Sequence, residues 1–568
     1  AIEEIETNPY ILLDIINNID FKQIDSLAIK NGIEKNNYKR VRSGIKYAFL
    51  RATTNGHSCV NKENLMQYVS DLLEITYDDV HETMITMKAK EEIKEEKRKE
   101  INWIYLANYY RIEQNIADRL MNLVNASNVK KIHNIDKKLK NIEKESIIDL
   151  SEKQKEAILA INNNNVCVIT GGPGTGKTTI IKTIIELYKK EEKKVVLCAP
   201  TGRAAKRMTE ATGEEAKTLH RLLEIQKTID DEYAEEINVS PIDGDVVIVD
   251  EVSMVDMFLM NNLIKALYKG TKLVLVGDVD QLPSVGPGSV LKDIINSNRI
   301  EVIVLNKIFR QAAKSKIILN SHKVNEGESF IGVKYEDKEI KDDFFFIPET
   351  NQEKILSNVI SLCTGRLKKY ANYDFFENIQ IITPTKKGKL GTKELNVILQ
   401  EKLNPETDFS KEKRIGKTIF RTGDRVMQIK NNYDIYWEKK GEKFESGSGV
   451  FNGEMGKIES FNEETKTVKI KFDDDKYAWY AYNEMDQIEH SYSITIHKAQ
   501  GSEFDVVIMP ITQSAPMLLT RNLLYTGMTR AKKMLIIVGN PNIINFMINN
   551  IDGKKRNTGL QYKLEKEL

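Results

Sequence analysis

The pattern of apolar and polar positions changes near residue 150. Up to about residue 145 apolar positions recur at helical spacing in a polar, Lys/Glu-rich background, with little strand-like alternation. The stretch 88–100 is nearly all charge and reads as a solvated helix. From about residue 152, short β-rich runs at 165–170, 195–199, 245–250, 273–277 and 302–305 recur between helical segments. This alternation predicts a parallel sheet covered by helices on both faces. A second series at 379–383, 506–510 and 535–539 predicts a second sheet of the same kind, and so a chain of two lobes. Two interruptions break the rhythm. Residues 222–242 are polar without clear periodicity, a length that suits a hairpin or loop on the first lobe. Between about 421 and 489 the pattern turns to short alternating strands at 424–429, 453–458, 467–472 and 477–482, a small β-barrel inserted in the second lobe. Within it, 441–449 is charged and Gly/Ser-rich and reads as a mobile loop.

Composition adds bounds rather than function. A chain of 568 residues is too long for one core, which fits several domains. Lys+Arg (84) and Asp+Glu (83) nearly cancel to a formal charge of +1, so any basic groove is local. Four cysteines (Cys59, Cys167, Cys198, Cys363) lie far apart with no C-x-x-C pair, the usage of reduced, buried thiols. No apolar run is long enough for a bilayer and no signal-peptide pattern opens the chain, so a cytoplasmic protein with no membrane partner is expected. The chain begins Ala-Ile-Glu-Glu rather than with methionine, which suits a fragment and a processed chain equally.

The chemistry starts at Gly171-Gly172-Pro173-Gly174-Thr175-Gly176-Lys177-Thr178-Thr179, between a predicted strand and a predicted helix over 179–190. This is the G-x-x-x-x-G-K-T spacing of a phosphate-binding loop. Its glycines let backbone N–H groups close around phosphates, and the helix N-terminus adds a positive dipole end. Lys177 can reach the outer phosphates and the Thr178 hydroxyl can ligate magnesium, so a nucleoside triphosphate with Mg2+ is the expected ligand pair. A phosphate loop alone fits kinases, transporters and GTPases. Val246-Val247-Ile248-Val249-Asp250-Glu251 narrows the choice: Asp250 can hold magnesium and Glu251 can polarise an attacking water, which favours hydrolysis. In Gly277-Asp278-Val279-Asp280-Gln281-Leu282-Pro283, the Gln281 amide at a strand end can report the γ-phosphate.

G-D-x-x-Q-L-P after a D-E strand resembles motif III of superfamily 1 helicases, and the remaining motifs follow in order. Gln154 matches the glutamine that reads adenine, and Pro200, Thr201 and Arg203 lie in an A-P-T-G-R-A-A block that matches the DNA-contacting motif Ia. His220 falls in a further DNA-contacting segment. Phe309-Arg310-Gln311 matches motif IV. Thr495, His497, Lys498, Gln500 and Gly501 match motif V, and Tyr525 to Lys532, with Arg530, matches motif VI. The wording of these motifs, with N-G-E-M-G-K-I in the predicted barrel, is similar to the RecD branch over about 151–540. The N-terminal region is more weakly similar to stand-alone RecD-like proteins. Where that group carries a Gly-rich helix-hairpin-helix turn, this chain has Asn18-Ile19-Asp20-Phe21.

The resemblance implies an α/β fold of two RecA-like P-loop domains with an inserted small SH3-like β-barrel and an N-terminal helical domain. The implied bounds are 1–145 for the helical domain, 146–305 for the first motor domain and 306–568 for the second. Residues 222–242 would then be the strand-separating pin, and about 421–489 the SH3-like insertion. It implies an ATP-dependent 5′→3′ DNA helicase of repair or recombination, a monomeric motor acting on single-stranded and tailed duplex DNA. ATP would be held by Gln154, Gly172, Pro173, Gly174, Thr175, Gly176, Lys177, Thr178, Thr179 and Gly501, with Thr178 and Asp250 on magnesium. Lys177, Asp250, Glu251, Gln281, Arg310 and Arg530 would carry catalysis, the two arginines from the second lobe. Pro200, Thr201, Arg203, His220, Thr385, Lys386, Thr495, His497 and Lys498 would contact DNA, mainly at phosphates. Three alternatives stay open: a motor subunit of a RecBCD-like exonuclease, a nucleotide-gated DNA-binding scaffold, and the helicase half of a relaxase, although no His-rich relaxase domain is present.

Overall fold

The computed structural model describes every residue except 1–4, 6–7, 16–19, 128–130, 147–148, 226–237, 310–311, 338, 406–411, 440–444, 552–554 and 567–568. In the N-terminal region, helices Phe21–Lys30, Tyr38–Thr53, Lys62–Leu73 and Tyr77–Ala89 close around Phe21, Val41, Ile45, Leu65, Val69 and Val80. Asp20 caps the first of these helices, accepting from Lys22 N at 3.1 Å; the rest of the turn at 16–19 lies outside the described residues.

The charged stretch 88–100 is not a helix throughout, which corrects the sequence expectation. After Ala89 the chain forms a sheet of β1 (Val60–Asn61), β2 (Ile93–Arg98) and β3 (Ile101–Leu106), in the order β1-β3-β2. The apolar strand β3 supplies the partner, and the Glu95 charge of β2 is neutralised by lysines of the flanking helices. Glu95 pairs with Lys62 at 3.1 Å and Lys88 at 2.9 Å, while the Arg98 guanidinium lies over Trp103. Pairing with a neighbouring strand outweighs local propensity.

Strands β4 (Val166–Gly171), β5 (Val195–Ala199), β6 (Ala216–Thr218), β7 (Val246–Val249), β8 (Lys272–Gly277) and β9 (Glu301–Leu305) form a six-stranded sheet, order β6-β5-β7-β8-β4-β9. Every neighbouring pair is parallel. Successive side chains serve opposite faces: Val166 and Val168 enter one core, Cys167 and Ile169 the other. Helices Ala107–Val124 and Ile135–Glu145, grouped by their polar texture with the N-terminal region, contribute Ile116, Leu120, Leu139 and Ile142 to these two cores. All four cysteines are buried and free.

The second lobe opens with β10 (Phe344–Pro348) and β11 (Ile379–Thr383). The chain then leaves for a ribbon of β12 (Glu412–Ile415) and β13 (Thr418–Arg421). An antiparallel seven-stranded sheet follows: β14 (Arg425–Gln428), β15 (Asn432–Lys439), β16 (Glu445–Val450), β17 (Met455–Asn462), β18 (Thr467–Phe472), β19 (Lys476–Ala481) and β20 (Ile488–His490). It returns through β21 (Ser493–Thr495), β22 (Phe504–Ile511) and β23 (Ala531–Gly539), completing a parallel sheet of order β10-β23-β22-β11-β21. The root of the insertion is held by buried Asp424, which accepts from Gln400 at 2.7 Å and from Asn404 and Tyr492 at 2.8 Å.

The segment 441–449 was expected as a mobile loop, and this is corrected from Glu445 onward: β16 is a strand paired with β15. Gly447 permits it, because a Cβ there would stand 2.6 Å from the Trp437 ring. Residues 440–444 lie outside the described residues, as does 226–237, most of the predicted pin. The base of that segment is closed by Ser240 N donating to Leu223 O at 3.2 Å, with Leu223 and Ile242 buried in the first-lobe core.

The C-terminal segment crosses back to the N-terminal half. Helix Leu560–Lys566 packs Leu560 and Leu564 into the first-lobe core. Lys563, 2% exposed, donates to Glu113 at 3.0 Å, and Glu113 also accepts from Ser58 at 2.6 Å. Arg556 donates to Gly286 O at 2.8 Å and to Gly288 O at 2.7 Å, while Asn557 N donates to His57 Nδ1 at 2.9 Å. Among the described residues, no helix is long and apolar enough to cross a membrane.

Candidate nucleotide site and nucleic-acid interface

Strand β4 is buried from Val166 to Thr170 and runs into the loop Gly171–Gly176, and helix Lys177–Lys189 begins at once. Gly174 and Gly176 hold φ of 73° and 84°, a left-handed backbone that glycine adopts without strain. Lys177 Nζ donates to Gly171 O and, at 3.1 Å, to Gly172 O, while Thr178 is exposed at the helix start. Gln154 is completely buried and both ends of its amide are engaged. It accepts from Ser151 N at 2.9 Å and donates to Gly176 O at 3.3 Å. The expected adenine-reading residue thus braces the loop against helix Glu152–Asn163.

At the end of β7, Asp250 and Glu251 enter the same cleft. Glu251 holds φ 54°, a strained position for a side chain of its size. Arg207 forks between the lobes. It meets Glu251 at 2.6 Å and Glu503 at 2.7 Å, and lies 3.6 Å from Asp250. Burial opposes charge on Glu251, but Arg207, Arg530 and Lys177 outweigh it and hold this carboxyl below its ordinary range. Asp250 is pushed up by burial and by the adjacent Glu251 charge. At the end of β8, Asp278 accepts from Tyr525 at 2.7 Å and from Gln281 at 3.3 Å. The Gln281 side-chain oxygen is buried with no partner among the described residues, so one end of that amide is unspent.

The second lobe closes over this face. His322 Nε2 stands 3.2 Å from Pro173 O, and Phe309 N donates to Gly174 O at 3.1 Å. Leu282 N donates to Thr526 Oγ1 at 2.9 Å and Gln500 to Leu282 O at 2.8 Å. Arg530 is 2% exposed and spends its donors within its own lobe, on Thr526 O at 3.1 Å, Ser502 O at 3.2 Å and Thr529 Oγ1 at 3.0 Å. It stays close enough to Glu251 to stabilise that charge. Arg310 lies outside the described residues. A Cβ at Gly501 would meet Thr201, Ala204 and Met254, none of them in the phosphate loop, and φ 70° permits the approach.

The expected DNA contacts gather at strand ends. β5 and β6 pair Ala199 with Thr218, which brings Pro200, Thr201 and Arg203 beside the short helix carrying His220. β11 and β21 pair Thr383 with Thr495, which brings Thr385 and Lys386 beside His497 and Lys498. His497 stands within electrostatic reach of Lys386 and Arg556. Thr201 caps helix Gly202–Thr212, accepting from Ala204 N at 3.3 Å. Two of the cations are already paired: Arg203 meets Asp473 of the barrel at 3.0 Å and Lys498 meets Glu489 at 2.6 Å. Sequence reasoning missed Arg207, His322, Tyr525 as an Asp278 donor, and Arg556. For Arg207 a signal existed, its i, i+4 spacing from Arg203 on one helix.

Two parallel sheets that meet across a glycine phosphate loop define a two-lobed P-loop protein. Four family models match the chain: an AAA domain over 154–287, an ATP-dependent RecD-like DNA helicase SH3 domain over 395–472, a UvrD-like helicase C-terminal domain over 490–538, and an ATP-dependent RecD2 DNA helicase HHH domain over 1–59. An uncharacterized protein of Methanocaldococcus jannaschii is 29% identical over 98% of this chain and 55% of its own length. The ATP-dependent RecD2 DNA helicase of Deinococcus radiodurans is 31% identical over 77% of this chain and 55% of its own. The RecBCD enzyme subunit RecD of Buchnera aphidicola is 30% identical over 76% of this chain and 79% of its own. The chain thus spans about half the length of the first two relatives (55% of each). It belongs to the RecD-like family of superfamily 1 helicases.

Proposed function

We propose that the chain is an ATP-dependent DNA helicase that moves 5′→3′ on single-stranded DNA, working as a monomeric motor in repair or recombination. The observation that supports this most is the meeting, in one cleft, of Lys177, Asp250, Glu251 and Asp278 from the first sheet with His322, Glu503 and Tyr525 from the second lobe. A γ-phosphate bound there would be contacted from both sides, so its presence would set the lobes' separation. The direction of travel rests on the family resemblance.

In this reading the loop Gly172–Thr179 holds the triphosphate of ATP. The donor set fits magnesium: an exposed Thr178 hydroxyl at a helix start and the Asp250 carboxylate are hard oxygen ligands, and nucleotide phosphates complete such a shell. Bound magnesium would neutralise phosphate charge. Lys177 holds the outer phosphates, and the free side-chain oxygen of Gln281 accepts a hydrogen bond from the attacking water, while the second N–H of its amide can donate to the γ-phosphate. Glu251 takes the proton of a water whose oxygen bonds to the γ-phosphorus as the bond to the ADP oxygen breaks. Arg310 and Arg530 supply second-lobe charge. DNA lies across the strand ends of both lobes, on Pro200, Thr201, Arg203, His220, Thr385, Lys386, Thr495, His497 and Lys498. Residues 146–305 and 306–568 serve as the bulk of the two motor domains, the first completed by helices Ala107–Val124, Ile135–Glu145 and Leu560–Lys566, with the part of 1–145 before these helices as an N-terminal module and 222–242 as the pin. The match of residues 1–59 to the RecD2 HHH domain favours stand-alone action over a subunit role.

An unwinding assay with ATP and magnesium on 5′-tailed and 3′-tailed duplexes tests the reading. Only the 5′-tailed duplex should be opened. ATP hydrolysis that single-stranded oligonucleotide fails to raise would overturn it.

A further inference from the structure

Helix Gly202–Thr212 touches both functional faces of the first lobe. Its N-terminal turn carries Arg203 and Lys206, both engaged by the barrel: Arg203 meets the Asp473 carboxylate at 3.0 Å and Lys206 donates to Asp473 O at 3.2 Å. One turn on from Arg203 and directly after Lys206, Arg207 meets Glu251 at 2.6 Å and Glu503 at 2.7 Å. Residues i and i+4 share one face of a helix, and eleven helical residues move as a rigid rod.

From this geometry we infer that Arg207 is a positioning residue that restrains Glu251 until a nucleic-acid strand seats on Arg203 and Lys206. The inference rests on the ATPase reading above. A guanidinium at charge-assisted distance from one oxygen of Glu251 stabilises the carboxylate's charge and fixes its orientation, so the group serves poorly as an acceptor for a proton from water. The Asp473 carboxylate on Arg203 and the Asp473 main-chain oxygen on Lys206 stand where a backbone phosphate would be bound by the same two cations. A strand that displaces Asp473 changes what holds the helix at its first turn. The rod carries that change to Arg207, and Glu503 gives the guanidinium a second carboxylate to stay on when it leaves Glu251. Because Glu503 belongs to the second lobe, the exchange also responds to lobe separation. Two sites, on DNA and on ATP, are thereby joined through one element with two sets of partners.

The test compares ATP hydrolysis by the full chain and by Arg207→Ala, Arg207→Gln and Arg207→Lys, each with and without a single-stranded oligonucleotide. Arg207→Ala should raise the DNA-free rate by about fivefold or more, and the stimulation ratio should fall by the same factor, a modest coupling by general standards. KM for ATP should stay within about twofold, which marks a change in turnover rather than in ground-state binding. Arg207→Lys, with one point charge in place of a fork, should fall between Ala and the parent. If Ala fails to give a cooperative melt, Gln and Lys are judged by the same ratio. Equal loss of both rates, or an unchanged ratio, overturns the restraint. A parent protein without any stimulation overturns the helicase reading instead.

Discussion

The two lobes share a strand–loop–helix unit, and they differ in what the helix start does with its amides. In the first lobe β4 leads through Gly171–Gly176 into helix Lys177–Lys189, whose first backbone bond is Ile180 N to Gly176 O at 3.2 Å. The N–H groups of the first turn have no intrahelical partner by construction, and they surround the loop. In the second lobe β11 leads through residues 384–391 into helix Thr392–Leu403. There Thr392 N donates to Thr385 O at 3.1 Å and Lys393 N to Lys386 O at 3.2 Å, while Gly391 N closes on Gly388 O at 2.7 Å. The second loop satisfies its helix start from its own carbonyls. Chain geometry of one kind thus gives a phosphate cradle only where the amides are left over. The lysine-rich loop offers side chains, suited to a polynucleotide backbone rather than to a buried triphosphate.

This contrast can be broken most directly at Lys177. Lys177→Ala should reduce ATP hydrolysis by about 10²-fold or more, in line with loss of a preorganised cation at a charged transition state. A steady-state phosphate-release assay reads it, and near-parental activity would refute the cradle.

Glycine substitutions sharpen the comparison. Gly176→Ala would place a Cβ 2.4 Å from Gln154 and 2.5 Å from the Phe309 ring, so ATP affinity should fall by about tenfold or more. Gly388 also has a positive φ, 87°, but a Cβ there meets nothing within 4 Å. Gly388→Ala should therefore cost only the left-handed strain of roughly 1–2 kcal/mol, seen in denaturant melts, with hydrolysis unaltered. Equal effects of the two on ATP affinity would show that the loops are not distinct.

The smallest effect belongs to Lys386→Ala. It should weaken single-stranded DNA binding without regard to sequence, and lower the slope of log affinity against log salt by about 0.7. An unchanged slope would remove Lys386 from the strand path.

The sequence made the α/β fold class legible because apolar strands buried on two faces, such as β4 and β7, stand out as short continuous runs. The residues at strand ends were equally visible, since the spacing from Gly171 to Lys177 is set by the local backbone. What stayed hidden depends on distant partners. His322 reaches Pro173, and Arg207 reaches Glu503, only after both sheets have formed, and no local pattern encodes such meetings. Strands β2 and β16 were missed for a related reason. Glu95 and Gly447 look unsuited to a sheet until Lys62 and the Trp437 ring are beside them.

The strap from Arg556 to Lys566 has a consequence for synthesis. Glu113 is held by Lys563, 450 residues further along the chain. A ribosome adding roughly 5–20 residues per second needs tens of seconds between these two positions. Over that interval a carboxylate destined for burial stays without its cation, and an unpaired buried charge is strongly disfavoured. The N-terminal helices can collapse early, but their seating on the first sheet becomes secure only once residues 556–566 have been made. Nascent chains stalled before residue 556 should accordingly be cut by protease between the helical module and the sheet, and chains that include residues 556–566 should resist.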